Sequence, residues 1–262
     1  MTSPLRLGVA LPAYGFQLDV GHAAMWVGVG AALFQAADKV ELVSFVEYHV
    51  NGVDLCRNTA LYDAIEAGCD WVFMIDADTF HRSRVEGIAD AGVDIVQMIR
   101  DADRNATAKV NDKGDVVLTP IQELSNRNGV ALVGAPVRGR GGDAGGVCVK
   151  SVRSAPSPDE PGRDYWATGE SMDLQDLVGK VQPVGRIGGA CIAVNCGWFR
   201  RFWPKAPWFV MEHEYAEGRP FNKRGEDYSI CDGIWSRGGV VLCDGRFVPS
   251  HVARRKLVGE DS

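Results

Sequence analysis

Five consecutive apolar residues, Trp71-Val72-Phe73-Met74-Ile75, run straight into Asp76-Ala77-Asp78. A strand that is apolar at every position has to be covered on both faces, as the inner strands of parallel sheets are. Cover on both faces requires helices on both sides of the sheet, so short apolar strands should alternate with helical segments. The chain before this run does alternate. Leu7 to Leu11 reads as a strand ending in Pro12-Ala13-Tyr14-Gly15, Val20 to Ala37 as an Ala-rich helix, and Lys39 to Val46 as a second strand. Asp54 to Gly68 then carries Leu55, Ala60, Leu61, Ala64 and Ile65 at helical spacing, with Gly68 placed to end the helix. The expectation is an α/β fold built on a mixed, mainly parallel sheet flanked by helices.

Beyond the acidic motif, Arg82 to Ala108 reads as mostly helical with a break near Gly92. Lys109 to Leu118 has a hairpin turn in Asn111-Asp112-Lys113-Gly114, Pro120 to Asn128 is expected as a further helix, and Val130 to Ala135 as a strand. From Arg138 to Gly185 the chain changes character. Gly139, Gly141, Gly142, Gly145 and Gly146, followed by Ala155-Pro-Ser-Pro-Asp-Glu-Pro161, disfavour regular structure. That stretch is expected to be a long mobile loop or lid, or a surface insertion without function. Residues 187 to 252 return to apolar strands and turns with many aromatics. With 262 residues and 46% hydrophobic content the chain can bury one large core, and it is read as one domain, 1–262, in three parts: 1–137, 138–185 and 186–262.

In extended geometry residues i and i+2 project to the same side, so Asp76 and Asp78 can face one point. Two carboxylates facing one point repel unless a cation lies between them. Oxygen ligands suit Mg²⁺ or Mn²⁺, ions held by one or two carboxylates with substrate phosphates and water completing the shell. The carboxyl end of a central strand is also where open α/β sheets bind ligands.

Charge and composition exclude other classes. A net charge of −6 argues against general affinity for the phosphate backbone of nucleic acids, although Arg200-Arg201 or Arg254-Arg255-Lys256 can meet a phosphate or a partner locally. No apolar stretch reaches the roughly 20 residues of a membrane span, and the first residues lack the layout of a secretion signal. A cytoplasmic protein without membrane association is expected. The seven cysteines are odd in number and scattered, which points to reduced, buried thiols rather than disulfides or structural zinc.

With these features in place the chain resembles the GT-A glycosyltransferases, in a form similar to family 2 enzymes of phages and bacteria. The residues that carry the resemblance are Arg57-Asn58, Ala64, Gly68-Cys69-Asp70, and Trp71 to Asp78 with its Asp-x-Asp motif. Further on they are Arg186 to Ala193 as a Gly-rich strand, Cys196-Gly-Trp198-Phe199 leading a helix, and Trp208-Phe209. Glu226-Asp227 at a helix start, Gly238-Gly239 to Asp244, and His251 complete the set.

The resemblance implies a GT-A, Rossmann-like fold and transfer of a sugar from a nucleotide-sugar, a UDP-sugar first among the candidates. The acceptor would be a protein, a glycan or a modified nucleobase in DNA, and the compartment a host cytoplasm if the gene is a phage's. Residues 1–137 become the nucleotide-sugar and metal half, and 186–262 the acceptor side. Asp76, Asp78 and His251 would hold Mn²⁺ or Mg²⁺. Pro12, Ala13, Tyr14, Arg57 and Ala77 would join the two aspartates around the donor, with Arg57 reaching a phosphate or the base. Gly188, Gly189 and Trp208 would meet the acceptor, with Trp208 as a stacking platform. Asp227 would accept the acceptor's hydroxyl proton with Glu226 positioning it, if the reaction inverts the anomeric carbon; in a retaining enzyme the pair would bind acceptor or stabilise the transition state. Helix capping by two carboxylates explains the same pair without catalysis. Two rivals remain: a Mg²⁺-dependent nucleotidyltransferase or phosphatase, and a non-catalytic carbohydrate- or nucleotide-binding protein that kept the fold. The first lacks a Gly-x-x-x-x-Gly-Lys loop here, and the second has little reason to keep Asp76, Asp78, Asp227 and His251 together.

Overall fold

The computed structural model describes residues 4–12, 30, 40–48, 52–76, 79–80, 90–106, 109–110, 116–117, 128–137, 147–156, 164–216 and 219–251. Strands β1 (Leu5–Pro12), β2 (Val40–Tyr48) and β3 (Trp71–Ile75) precede the short β4 (Thr79–Phe80), β5 (Lys109–Val110) and β6 (Val116–Val117). Then come β7 (Val130–Gly134), β8 (Val149–Pro156), β9 (Asp164–Ser171), β10 (Val181–Pro183), β11 (Arg186–Ile187) and β12 (Cys191–Asn195). The last strands are β13 (Glu212–Ala216), β14 (Arg219–Arg224), β15 (Val240–Asp244) and β16 (Ser250–His251). Among the described residues the helices are α1 (Val53–Glu66), α2 (Asp90–Ala106), α3 (Leu174–Leu177), α4 (Cys196–Phe202) and α5 (Glu226–Ser236).

The central sheet has the order β10-β15-β7-β12-β3-β1-β2. β2, β1, β3, β7 and β15 point one way, while β12 and β10 run against them. This is the mixed, mainly parallel α/β sheet expected. Alternation of side chains explains why β3 is apolar throughout. Val72 and Met74 face a cluster containing α1, α4 and α5, whereas Trp71, Phe73 and Ile75 face a second cluster containing Ile95, Met98 and Ile99 of α2. The molecule is therefore three layers deep, and β3 is buried at every position.

α1 buries Cys56, Arg57, Ala60, Leu61 and Ala64, and ends where Gly68 takes φ +72°, a value that favours glycine. Leu55, read from its spacing as part of the apolar face, is 50% exposed, and the buried Arg57 occupies that face instead. Among the described residues α2 runs unbroken through Gly92, from Asp90 to Ala106, while residues 82–89 of the expected helix lie outside them. Residues 138–185 hold more regular structure than their glycine and proline content implies. β8 and β9 form an antiparallel hairpin that β11 extends, and α3 and β10 follow. The helices expected over Val20 to Ala37 and Pro120 to Asn128 lie mostly outside the described residues. Six cysteines are buried and all seven are free, but Cys148 is exposed because it precedes β8 at the lip of a cleft. Among the described residues no helix is long and apolar enough to cross a membrane.

Candidate functional site

Parallel strands β1 and β3 pair through Ala10 and Met74, which brings Pro12 and Asp76, each two residues further on, to the same edge of the sheet. Asp76 leaves β3 with its amide donating to the carbonyl of Ala190 at 2.9 Å, and Thr79 closes a turn by donating to the carbonyl of Asp76 at 2.9 Å. β4 follows at once and pairs antiparallel with β16, with Thr79 opposite His251. The backbone of His251, near the far end of the chain, thus lies beside the residue that follows Asp78. Ala13, Tyr14, Ala77 and Asp78, and the side chain of His251, lie outside the described residues.

A cleft of about 330 Å³ opens beside Asp76. One wall carries Arg57, Asp76, Glu226 and Asp227; Val53, Val137, Cys148, Val149 and the Gly188-Gly189-Ala190 backbone complete it. These residues come from the start of α1, the end of β3, the segment after β7, the start of β8, the β11–β12 connection and the start of α5. Arg57 is only 2% exposed and joins two of the carboxylates. Its guanidinium donates to Asp76 Oδ1 at 2.7 Å and forms a short contact with Glu226 Oε1. Arg57 lines the cleft, where its fork of donors is directed at neighbouring carboxylates, a geometry suited to guanidinium.

Glu226 and Asp227 open α5, whose N-terminal dipole favours negative charge. Asp227 Oδ1 accepts from the amide of Tyr228 at 2.8 Å, and Oδ2 from the amide of Gly189 at 3.2 Å. Burial nevertheless pushes the Asp227 carboxyl above the usual carboxylate range, with the Arg57 charge and these amides opposing it. Burial likewise pushes Glu226 up, against the pull of Arg57. A Cβ on Gly189 would run into the Arg57 guanidinium, so a side chain there would push that group out of its place between the carboxylates. A Cβ on Gly188 would come within 3.0 Å of Cys148 Cβ.

Trp208 is not at the cleft. It is 2% exposed, stands edge-on to Phe199, and its indole N–H donates to the carbonyl of Trp203 at 2.8 Å. The ring is a core anchor, which corrects the expectation of a stacking platform. Val53, Val137, Cys148 and Val149 line the cleft without a sequence signal that marks them. The last two reach the cleft because β8 pairs with β11, a contact that composition does not encode.

No protein-family model matches the chain, and no curated protein matches it. Among solved structures it is similar to A197 from STIV at 13% identity and a TM-score of 0.47, covering 94% of this chain and 85% of that one. It is similar to a glycosyltransferase involved in the glycosylation of the major capsid of PBCV-1 at 10% identity and a TM-score of 0.38, over 95% and 93% of the two chains. Mannose-1-phosphate geranyltransferase from Thermus thermophilus gives 11% identity and a TM-score of 0.34, over 92% and 75%.

Proposed function

We propose that the chain is a metal-dependent glycosyltransferase of the GT-A type that moves a sugar from a nucleoside-diphosphate sugar, a UDP-sugar first, onto an acceptor hydroxyl or nucleobase group. The observation that carries this reading is the convergence on one cleft of Asp76 at the carboxyl end of a buried parallel strand and the Glu226-Asp227 pair at a helix start. Their joint attachment to Arg57 strengthens it. That edge of an α/β sheet is where ligands bind, and paired carboxylates there suit both cation binding and proton transfer.

Among the described residues no group of three or more metal-ligating side chains gathers, and the cation reading rests on the carboxylate chemistry of Asp76 and Asp78. Asp76 presents carboxylate oxygen at the cleft, Asp78 lies two residues on, and His251 sits in a strand paired with Thr79. In the proposed enzyme Asp76, Asp78 and His251 would hold Mn²⁺ or Mg²⁺, and the ion would supply electrostatic stabilisation to a diphosphate leaving group. Arg57 fixes the rotamer of Asp76 and neutralises part of the charge that three carboxylates bring to the cleft. Asp227, aimed at the Gly188-Gly189 edge and raised in pKa by burial, takes the acceptor proton as the acceptor oxygen bonds the anomeric carbon and the sugar–phosphate bond breaks. Glu226, held by Arg57, keeps the helix start in place. Val53, Val137 and Val149 give the cleft an apolar side against which a sugar or base can shed water.

The test is a panel of UDP-, GDP- and dTDP-sugars assayed for hydrolysis and transfer with Mn²⁺ titrated in. The reading expects cation-dependent turnover of one donor, abolished by chelator and by Asp78→Ala. Turnover indifferent to both, or no donor bound or turned over, overturns it.

A further inference from the structure

The two helices that carry Arg57 and Glu226 are tied to each other by a third segment, residues 208–210. Asn58, next to Arg57 on α1, accepts at Oδ1 from the amides of Trp208 at 2.8 Å and Phe209 at 3.1 Å. Its Nδ2 donates to the carbonyl of Phe209 at 2.6 Å and to that of Asp54 at 2.8 Å. On the other side, Ser229 Oγ accepts from the amide of Val210 at 2.8 Å and donates to the carbonyl of Glu226 at 2.7 Å. The segment cannot slide between them, because Trp208 and Phe209 are buried anchors in the core shared with α1 and α5.

We propose that 208–210 is a bracket, and that Asn58 and Ser229 are positioning residues which set the spacing of α1 and α5 so that Arg57 bridges Asp76 and Glu226 across the cleft. Asn58 suits the role because one side chain must offer an acceptor to two amides and a donor to two carbonyls, which an amide alone supplies at that size. An aspartate there turns oxygen toward the carbonyls of Asp54 and Phe209. Neither residue touches substrate; each acts through the helix it belongs to. The role in turnover rests on the transferase reading, whereas the bracket itself does not.

The experiment compares Asn58→Asp, Ser229→Ala and Ser229→Thr with Thr59→Ala, a control whose hydroxyl bonds its own helix at Leu55. Each variant is first shown to unfold cooperatively. If the wild type turns over a donor, Asn58→Asp and Ser229→Ala lower kcat on the order of 10- to 100-fold with donor KM little changed. They also move the acidic limb of the pH profile upward, because Arg57 no longer bears on Asp227 as before. Ser229→Thr restores both, and Thr59→Ala alters neither. Independently of activity, the guanidinium N–H resonances of Arg57 are expected to be protected from exchange in the wild type, given its burial, and to exchange fast in Asn58→Asp and Ser229→Ala but not in the control. A wild type without any transfer overturns the transferase reading and leaves the exchange result to decide the bracket. Unchanged Arg57 exchange in both variants, or the same change in Thr59→Ala, overturns the bracket.

Discussion

Asp227 is the residue whose environment and proposed role make the sharpest joint demand. A carboxyl whose pKa is raised in the fold gives up its proton at a higher pH than the ordinary value of about 3.9. Base catalysis then fails from the acid side at a pH above that value, since only the ionised form accepts a proton. Arg57 opposes the rise, so Arg57→Gln should move the acidic limb of kcat/KM further up in pH, read from a rate profile of purified enzyme. The same raised pKa means that the folded state holds this proton more tightly, and the ionised carboxylate costs stability as pH rises through the interval between the two pKa values. Asp227→Asn is therefore expected to lose on the order of 10²- to 10⁴-fold in kcat while changing stability at neutral pH by less than about 1 kcal/mol. A large fall in melting temperature would contradict this. Arg57 behaves oppositely. It is buried between two carboxylates, so its removal strands Glu226, and Arg57→Met should cost about 3–5 kcal/mol in urea unfolding.

At the scale of elements, α5 carries the candidate chemistry and is held from several sides. Asp232, on its second turn, accepts from Arg186 Nε at 2.7 Å and Nη2 at 2.6 Å, and from Arg224 at 3.0 Å. Arg224 in turn contacts Glu212, and the Arg186 guanidinium lies 5.2 Å from the Tyr228 ring centre. Asp232→Ala should therefore loosen the helix against β11 and the β13–β14 hairpin at a cost of about 1–3 kcal/mol, measurable as faster amide exchange in α5. What the sequence made legible followed local rules. β3 and its acidic exit, the glycine that ends α1, and the carboxylates that begin α5 all express themselves within a few residues. The misreadings followed from long-range facts. The β8–β9 hairpin was hidden by the glycines before it and the prolines within its connection, and it forms through the long-range pairing of β8 with β9 and of β11 with β8. Leu55 fits the helical spacing, yet the face toward the core is set by where Arg57 must meet Asp76 and Glu226. Trp208, adjacent to Phe209, looks like a platform in one dimension but is covered by α4 in three.

Across the whole molecule, the three-layer arrangement explains why charged residues can gather at one edge of an otherwise apolar core. β3 fills both halves of the core with alternate side chains, leaving its end as the first place where the chain can turn polar. Phe73→Ala, which empties the α2 side beneath that end, should cost about 3–5 kcal/mol and lower the thermal midpoint. In the proposed enzyme this edge would grip a cation where a diphosphate departs, within reach of Asp227. The most direct measurement is anomalous diffraction from a crystal grown with manganese and UDP. One manganese peak bound by Asp76 and Asp78 is expected, with His251 alongside, the diphosphate on the same ion, and Asp227 facing the open side of the cleft. A nucleotide bound elsewhere, or Asp76 and Asp78 turned apart with no manganese near them, would contradict it.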